Sequence, residues 1–110
     1  MSIRIALTTL PSIEASKKIA KLLIKKKLAA CVNIVPNIHS VYFWKGTINE
    51  DAEWLLIIKT TLGKIKKLEK ELSQIHPYEL PEFVVLSPTK TSKAYAKWIE
   101  ATVRSRDAGR

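Results

Sequence analysis

Residues 76–82, with the sequence HPYELPE, place one imidazole, one phenol and two carboxylates within a single short segment. Pro77 and Pro81 stiffen this segment, because proline fixes its own φ and biases the preceding residue toward extended conformations. Imidazole and carboxylate groups together can bind a divalent transition metal. The candidate metal ligands are His76, Glu79 and Glu82. The alternative is that the segment only ends a helix near Ile75 and leads the chain into a strand.

A tight metal site is not predicted from this segment alone. Protein metal sites commonly use three or four ligands, and no second His or Cys lies at ligand spacing from His76. A weak site, or one that another subunit completes, is therefore expected.

Other chemically capable residues give weaker signals. Cys31 lies in an apolar strand without a neighbouring base, which favours a buried, inert thiol. His39 is expected to face water. An acidic group near a hairpin tip is expected to be a solvated turn; its members are Glu50, Asp51 and Glu53. No base–nucleophile pair is visible, so the chain is not expected to be an enzyme.

Length and composition restrict the class of protein. A chain of 110 residues fits one domain, predicted over residues 1–103, with a flexible basic tail over residues 104–110. Three glycines cannot build a phosphate-binding loop or a dinucleotide fingerprint. Neither a signal peptide nor a membrane-spanning segment is predicted, so a cytoplasmic protein without a membrane partner is expected.

The net charge of +9 suggests nucleic-acid binding as one class of function. Most of the lysines fall in residues 17–27 and 64–70, on segments that read as amphipathic helices, where lysine usually solvates the outer face. RNA-recognition modules share the strand order derived below, but they need a Gly- and aromatic-rich third strand. Residues 53–59 carry no such motif. No nucleic-acid partner is expected.

Hydrophobic periodicity predicts the elements that position these groups. Strands are expected over residues 3–9, 54–60 and 83–86, together with one long bent strand from residue 29 to 44. Turns are expected at residues 45–47 and 49–51. Helices are expected after Ser12, over residues 62–75, and after Thr91 or Ser92. The apolar stripe predicted for the first helix comprises Ile19, Ala20, Leu23, Ile24 and Leu28, and that of the second comprises Ile65, Leu68, Leu72 and Ile75. The apolar face predicted for the last helix comprises Tyr95, Trp98, Ile99 and Thr102.

This order of elements predicts an α+β, ferredoxin-like split βαβ sandwich with an extended hairpin and a C-terminal helix. Residues 41–44 and 54–58 are continuously apolar, which is typical of strands buried on both faces. The two main helices cover only one face of the sheet. A homo-oligomer is therefore expected.

Six ordered motifs then resemble the CutA divalent-cation tolerance proteins over about residues 5–100. The motifs are Thr8-Thr9-x-Pro11, residues 28–34 with Pro36, Ser40-x-Tyr42-x-Trp44-x-Gly46-x-Ile48, residues 58–60, residues 76–82, and Tyr95-x-x-Trp98-Ile99. The resemblance implies a PII-like trimer, a role in tolerance to copper and other divalent metals, and His76 as a Cu(II) ligand. Some metal-binding members add a Cys and a second His where this chain has Thr8 and Ile75; weak Cu(II) binding is therefore expected.

A second hypothesis keeps the same fold. A PII-like sensor would bind a small anionic metabolite in the cleft between subunits, where ligand sites are common. Lys59 would supply the charge, with Tyr78 and Trp44 as walls. The partners expected on either hypothesis are two further copies of the chain and a small ion or small molecule.

Overall fold

The computed structural model describes residues 2–104. The elements follow in the order β1 (Ile3–Leu10), α1 (Ile13–Lys25), β2 (Cys31–Trp44), β3 (Thr47–Thr61), a 3-10 turn (Leu62–Lys64), α2 (Ile65–Ile75), β4 (Val84–Leu86) and α3 (Lys93–Val103). Of the basic tail predicted over residues 104–110, only Arg104 lies within the described residues. None of the helices over residues 2–104 combines the length and hydropathy needed to cross a membrane.

One antiparallel sheet organises the chain, with the strand order β2-β3-β1-β4. β1 pairs with both β3 and β4, so each strand–helix–strand unit spans one intervening strand. This is the predicted split βαβ, ferredoxin-like arrangement, and the α+β class is confirmed.

The main core lies between one face of the sheet and the helices α1 and α2. Ala6 and Leu10 of β1 and Leu56 and Ile58 of β3 project to this face and are fully buried. The helices contribute their predicted apolar stripes at Ile19, Leu23, Leu68 and Leu72. Ser12 begins α1 as predicted, since its hydroxyl accepts a hydrogen bond from the Ala15 amide at 3.1 Å.

The hairpin is longer than predicted. Residues 49–51 do not form a turn, because β3 begins at Thr47 and the chain reverses through Lys45 and Gly46 alone. Both turn residues have positive φ, of 50° and 82°, as a two-residue type I′ turn requires. β1 pairs with β3 only from Trp54 onward, so residues 38–53 form a two-stranded ribbon beyond the sheet, which we call the hairpin arm.

The bend predicted in the second strand is confirmed. The register between β2 and β3 shifts between Val35 and Ile38, and Asn37 adopts a positive φ of 54°. Pro36 cannot donate a ladder hydrogen bond, which explains a bulge at this position. The bulge marks the base of the hairpin arm.

The second face of the sheet is covered at one end by α3. Ala96, Ile99 and Val103 pack with Ile3 and Ala30 in a small second core. The predicted face of α3 was wrong in part, because Tyr95 and Trp98 are exposed and stack on each other. Both lie one residue from the helical positions that meet the sheet.

Cys31 also differs from the prediction. It is half-exposed rather than buried, with its Sγ 3.9 Å from the Asn33 Oδ1 atom. Cys31 pairs with Lys59, so its side chain projects from the second face of the sheet, which α3 covers only in part.

Candidate functional site

His76 is the centre of the polar cluster formed by residues 76–82. It follows the last residue of α2, and its own amide donates to the Leu72 carbonyl at 2.9 Å. Pro77 then forces His76 into an extended conformation, with φ −71° and ψ 135°. The imidazole ring is thereby aimed at the end of β1.

Both ring nitrogens of His76 are used in hydrogen bonds. Nε2 lies 2.9 Å from the Thr9 carbonyl and 3.1 Å from the Thr8 hydroxyl. Nδ1 accepts from the amide of Tyr78 at 3.2 Å. An accepting Nδ1 places the proton of the neutral ring on Nε2, which donates to Thr9. The His76 imidazole therefore links the C-terminal end of α2 to β1 through hydrogen bonds.

Tyr78 extends the cluster to the base of the hairpin arm. Its hydroxyl donates to the Glu53 Oε2 atom at 2.6 Å, and its ring centroid lies 5.0 Å from that of His76. Glu53 is only 8% exposed. A buried carboxylate needs a hydrogen-bond donor, and Tyr78 supplies one.

The electrostatics of the cluster favour neutral aromatic groups. Burial lowers the pKa of His76, against smaller opposing effects of the Thr9 hydrogen bond and the Glu53 charge. Burial, and then the hydrogen bond to Glu53, raise the pKa of Tyr78 well above its usual value. The imidazole and the phenol are both uncharged near neutral pH.

The hairpin arm carries a second phenol–carboxylate pair. Tyr42 and Asp51 are diagonal neighbours across the two strands, and the Tyr42 hydroxyl donates to the Asp51 carboxylate. This hydrogen bond raises the pKa of Tyr42. Unlike Tyr78 and Glu53, both residues of this pair are exposed.

The donor set does not form a metal centre within one chain. Glu79 and Glu82 are exposed, and His76 has no ring nitrogen left without a partner. Among residues 2–104, no group of three His, Cys, Asp or Glu side chains is placed to hold a metal ion. Metal ligation by His76 requires that one of its hydrogen bonds be broken, and the three predicted ligands stay a prediction.

The residues predicted for the anionic cleft are far apart in one protomer. Trp44 pairs with Thr47 at the tip of the hairpin arm, whereas Lys59 lies near the other end of β3. At about 3.3 Å per strand residue, Thr47 and Lys59 are about 40 Å apart. Tyr78 contacts Glu53 midway along this strand. Only a neighbouring subunit could bring Trp44 close to Lys59.

Lys59 has a defined environment. It is half-buried, and its ammonium group lies 5.7 Å from the centroid of the Tyr95 ring. This distance is within the range of a cation–π interaction.

Glu53 was not predicted as a functional residue, because Glu50, Asp51 and Glu53 were assigned together to a solvated turn. A signal was present: Lys45-Gly46 suits a two-residue hairpin turn, which would have placed Glu53 inside a strand. Glu50 and Asp51 are exposed, as expected for them. Nothing in the local sequence predicted that Thr8 and Thr9 would be hydrogen-bond partners of His76.

Comparison with known proteins gives a consistent result. Residues 4–102 match the family described as CutA1 divalent ion tolerance protein. The chain is 43% identical to the divalent-cation tolerance protein CutA of Thermus thermophilus over 95 residues, which are 86% of this chain and 92% of that protein. It is also 43% identical to the chloroplastic protein CutA of Arabidopsis thaliana, over 88% of this chain and 53% of that protein. The chain therefore spans about half of the plant relative.

A solved structure agrees with these matches. The periplasmic divalent cation tolerance protein CutA of Archaeoglobus fulgidus superposes with a TM-score of 0.90 and is 36% identical. The match covers 93% of this chain and 99% of that one.

Proposed function

The chain belongs to the CutA1 divalent ion tolerance protein family, and we propose that it acts as a homotrimer that binds Cu(II) only weakly. The family is one of tolerance proteins, not enzymes, which agrees with the prediction from the sequence. A cytoplasmic location stays a prediction, since relatives are described as chloroplastic and periplasmic.

Weak Cu(II) binding is proposed because both ring nitrogens of His76 already take part in hydrogen bonds. A Cu(II) ion at either ring nitrogen must displace a hydrogen bond to Thr9 or to the Tyr78 amide. Each such bond contributes about 0.5–1.5 kcal/mol to the folded state, which subtracts from the binding free energy. Only the exposed carboxylates of Glu79 and Glu82 are near in sequence to assist.

Calorimetric titration with Cu(II) at about pH 7, where imidazole is mostly neutral, tests this proposal. His76→Ala should abolish the weak binding, and lower pH should weaken it in the parent, because protons and metal compete for the same nitrogen. His39→Ala is the matched control, since His39 is exposed on the hairpin arm. Undiminished binding by His76→Ala would refute the assignment.

The hairpin arm supports the proposed trimer. Isolated two-stranded ribbons are marginally stable in water, yet Val41, Phe43 and Ile48 on one face of the arm are 65–72% exposed in the protomer. The second sheet face, apart from the end under α3, also exposes apolar side chains, including Val84 and Leu86. Exposed apolar surface of this extent is typical of protein interfaces.

Light scattering at micromolar concentration tests the assembly. The parent should be a trimer, and Phe43→Asp should dissociate it, because an unpaired carboxylate would be buried. Ile24→Asp is the control, since Ile24 of α1 is exposed and lies outside the hairpin arm and the second sheet face. A stable monomeric parent contradicts the proposal. Trp54 is a poor probe, because it pairs with buried Leu10 on the helix-covered face.

A PII-like sensor of a small anionic metabolite is the second candidate. Lys59 supports it, since this half-buried ammonium contacts the Tyr95 ring and forms no ion pair within residues 2–104. Native mass spectrometry of gently purified protein should then reveal a small acid, which Lys59→Gln loses and which Lys17→Gln, on the exposed face of α1, retains. A trimer that carries no acid in the parent would rule this candidate out.

A further inference from the structure

A cleft of about 720 Å³ opens where the start of β1 meets the segment between β4 and α3. It is separate from the His76 cluster and from Lys59, neither of which lines it. The buried side chains of Ile3 and Ala96 contribute apolar surface to it, at 5% and 2% exposure. Its volume lies within the range of small-molecule sites.

Three cationic side chains line this cleft: Arg4, Lys90 and Lys93. Among residues 2–104, no acidic residue lines the cleft and none lies in the first turn of α3. The single ion pair within residues 2–104 joins Lys26 to Glu71, elsewhere in the fold. The three positive charges therefore have no counter-charge in the described chain.

The cleft therefore gathers positive charge on one part of the surface. Lys93 is the first residue of α3, where the positive end of the helix dipole repels a cation. Arg4 and Lys90 add like charge around the same cleft. Unbalanced charges of this kind are expected at binding sites. A bound anion would balance the positive charges of the cleft.

The polar groups of the cleft suit an oxyanion. Arg4 donates one Nη1 hydrogen bond to the Ile3 carbonyl at 2.8 Å, which orients the guanidinium and leaves its other donors for a ligand. The hydroxyls of Thr89 and Thr91 add further donors. Guanidinium, ammonium and hydroxyl donors together are typical of phosphate recognition.

We propose that the cleft lined by Arg4, Lys90 and Lys93 binds the phosphate groups of a small molecule. This site does not depend on Cu(II) binding or on the cleft between subunits. A negative result for either function proposed above would therefore not contradict the phosphate site.

Calorimetric titration of the full chain with inorganic pyrophosphate at physiological ionic strength tests the proposal. The parent should bind with submillimolar affinity, and Lys90→Gln/Lys93→Gln should weaken binding about tenfold or more, since each lost charge-assisted bond contributes over 1 kcal/mol. Lys17→Gln/Lys18→Gln is the matched control. It removes the same charge from the exposed face of α1 and should change the affinity less than about twofold, because distant surface charges are screened.

Two further measurements locate the ligand and identify its source. Amide chemical shifts should move at residues 89–93 and not at the non-proline residues of the segment 76–82. A parallel titration with ADP distinguishes an organic diphosphate from the inorganic ion. Binding of either ligand supports the site if it depends on Lys90 and Lys93, and the ligand that binds more tightly identifies the source of the phosphate groups. The proposal is overturned if neither ligand binds at submillimolar concentration, or if the two double variants lose affinity equally.

Discussion

Removal of the Tyr78 hydroxyl should measurably destabilise the protein. Tyr78→Phe keeps the ring but leaves the carboxylate of Glu53, which is 8% exposed, without the donor now 2.6 Å away. Hydrogen bonds to charged groups contribute about 1.5–3 kcal/mol. Because Tyr78 is only half-buried, water can partly replace its hydroxyl. We therefore expect a loss near the lower limit, about 1.5–2 kcal/mol in the free energy of unfolding.

Urea unfolding measures this loss, at one protomer concentration for all variants because assembly contributes to stability. Tyr95→Phe is the control, since the Tyr95 hydroxyl makes no hydrogen bond within residues 2–104; its effect should stay within about 0.5 kcal/mol. In a Glu53→Gln background the Tyr78→Phe change should cost about half as much, because neutral hydrogen bonds are about half as strong. A Tyr78→Phe protein as stable as the parent would refute the role of this pair.

Three further predictions concern pH, helix capping and nucleic acid. Burial lowers the folded-state pKa of His76, so the unfolded chain binds a proton at higher pH than the folded protein does. The free energy of unfolding should therefore fall as the pH drops below about 6.5. Urea midpoints should show this fall in His39→Gln, which keeps His76, and not in His76→Gln. Ser12→Ala should reduce the free energy of unfolding by about 1 kcal/mol through loss of the α1 cap, and an unchanged urea midpoint would contradict this role. Fluorescence anisotropy with single-stranded RNA at physiological ionic strength should show no submicromolar binding. Such binding, if lost in Tyr42→Ala, would indicate an RNA-binding module.

Patterns local to the chain determined most of the fold. The helical period of Ile19 and Leu23 in α1, and of Leu68 and Leu72 in α2, predicted which faces meet the sheet, and these residues are buried. The strand order followed from the sequence of elements, because few topologies connect strands and helices in this order. Ser12, and either Thr91 or Ser92, were predicted as caps; Ser12 and Ser92 accept the expected amide hydrogen bonds.

Predictions failed where a local signal was ambiguous. The polar residues 49–51 suggested a turn, yet Asn49 and Asp51 pair across the hairpin arm with Tyr42 and Ser40. Strand pairing there overrode residue preference, since β propensity depends strongly on cross-strand neighbours. The same error hid Glu53, whose burial follows only from its place in β3.

The sequence by itself determined the family motifs, the helix stripes and the presence of His76, Tyr78 and the lysines. Only the tertiary structure decided that Thr9 and Tyr78 engage both nitrogens of the His76 ring, and that Arg4 shares a cleft with Lys90 and Lys93. These contacts join residues more than sixty positions apart, except for that between Tyr78 and His76. Such distances are set by the order of strands in the sheet and the side from which each helix approaches, and not by any local preference of the residues involved.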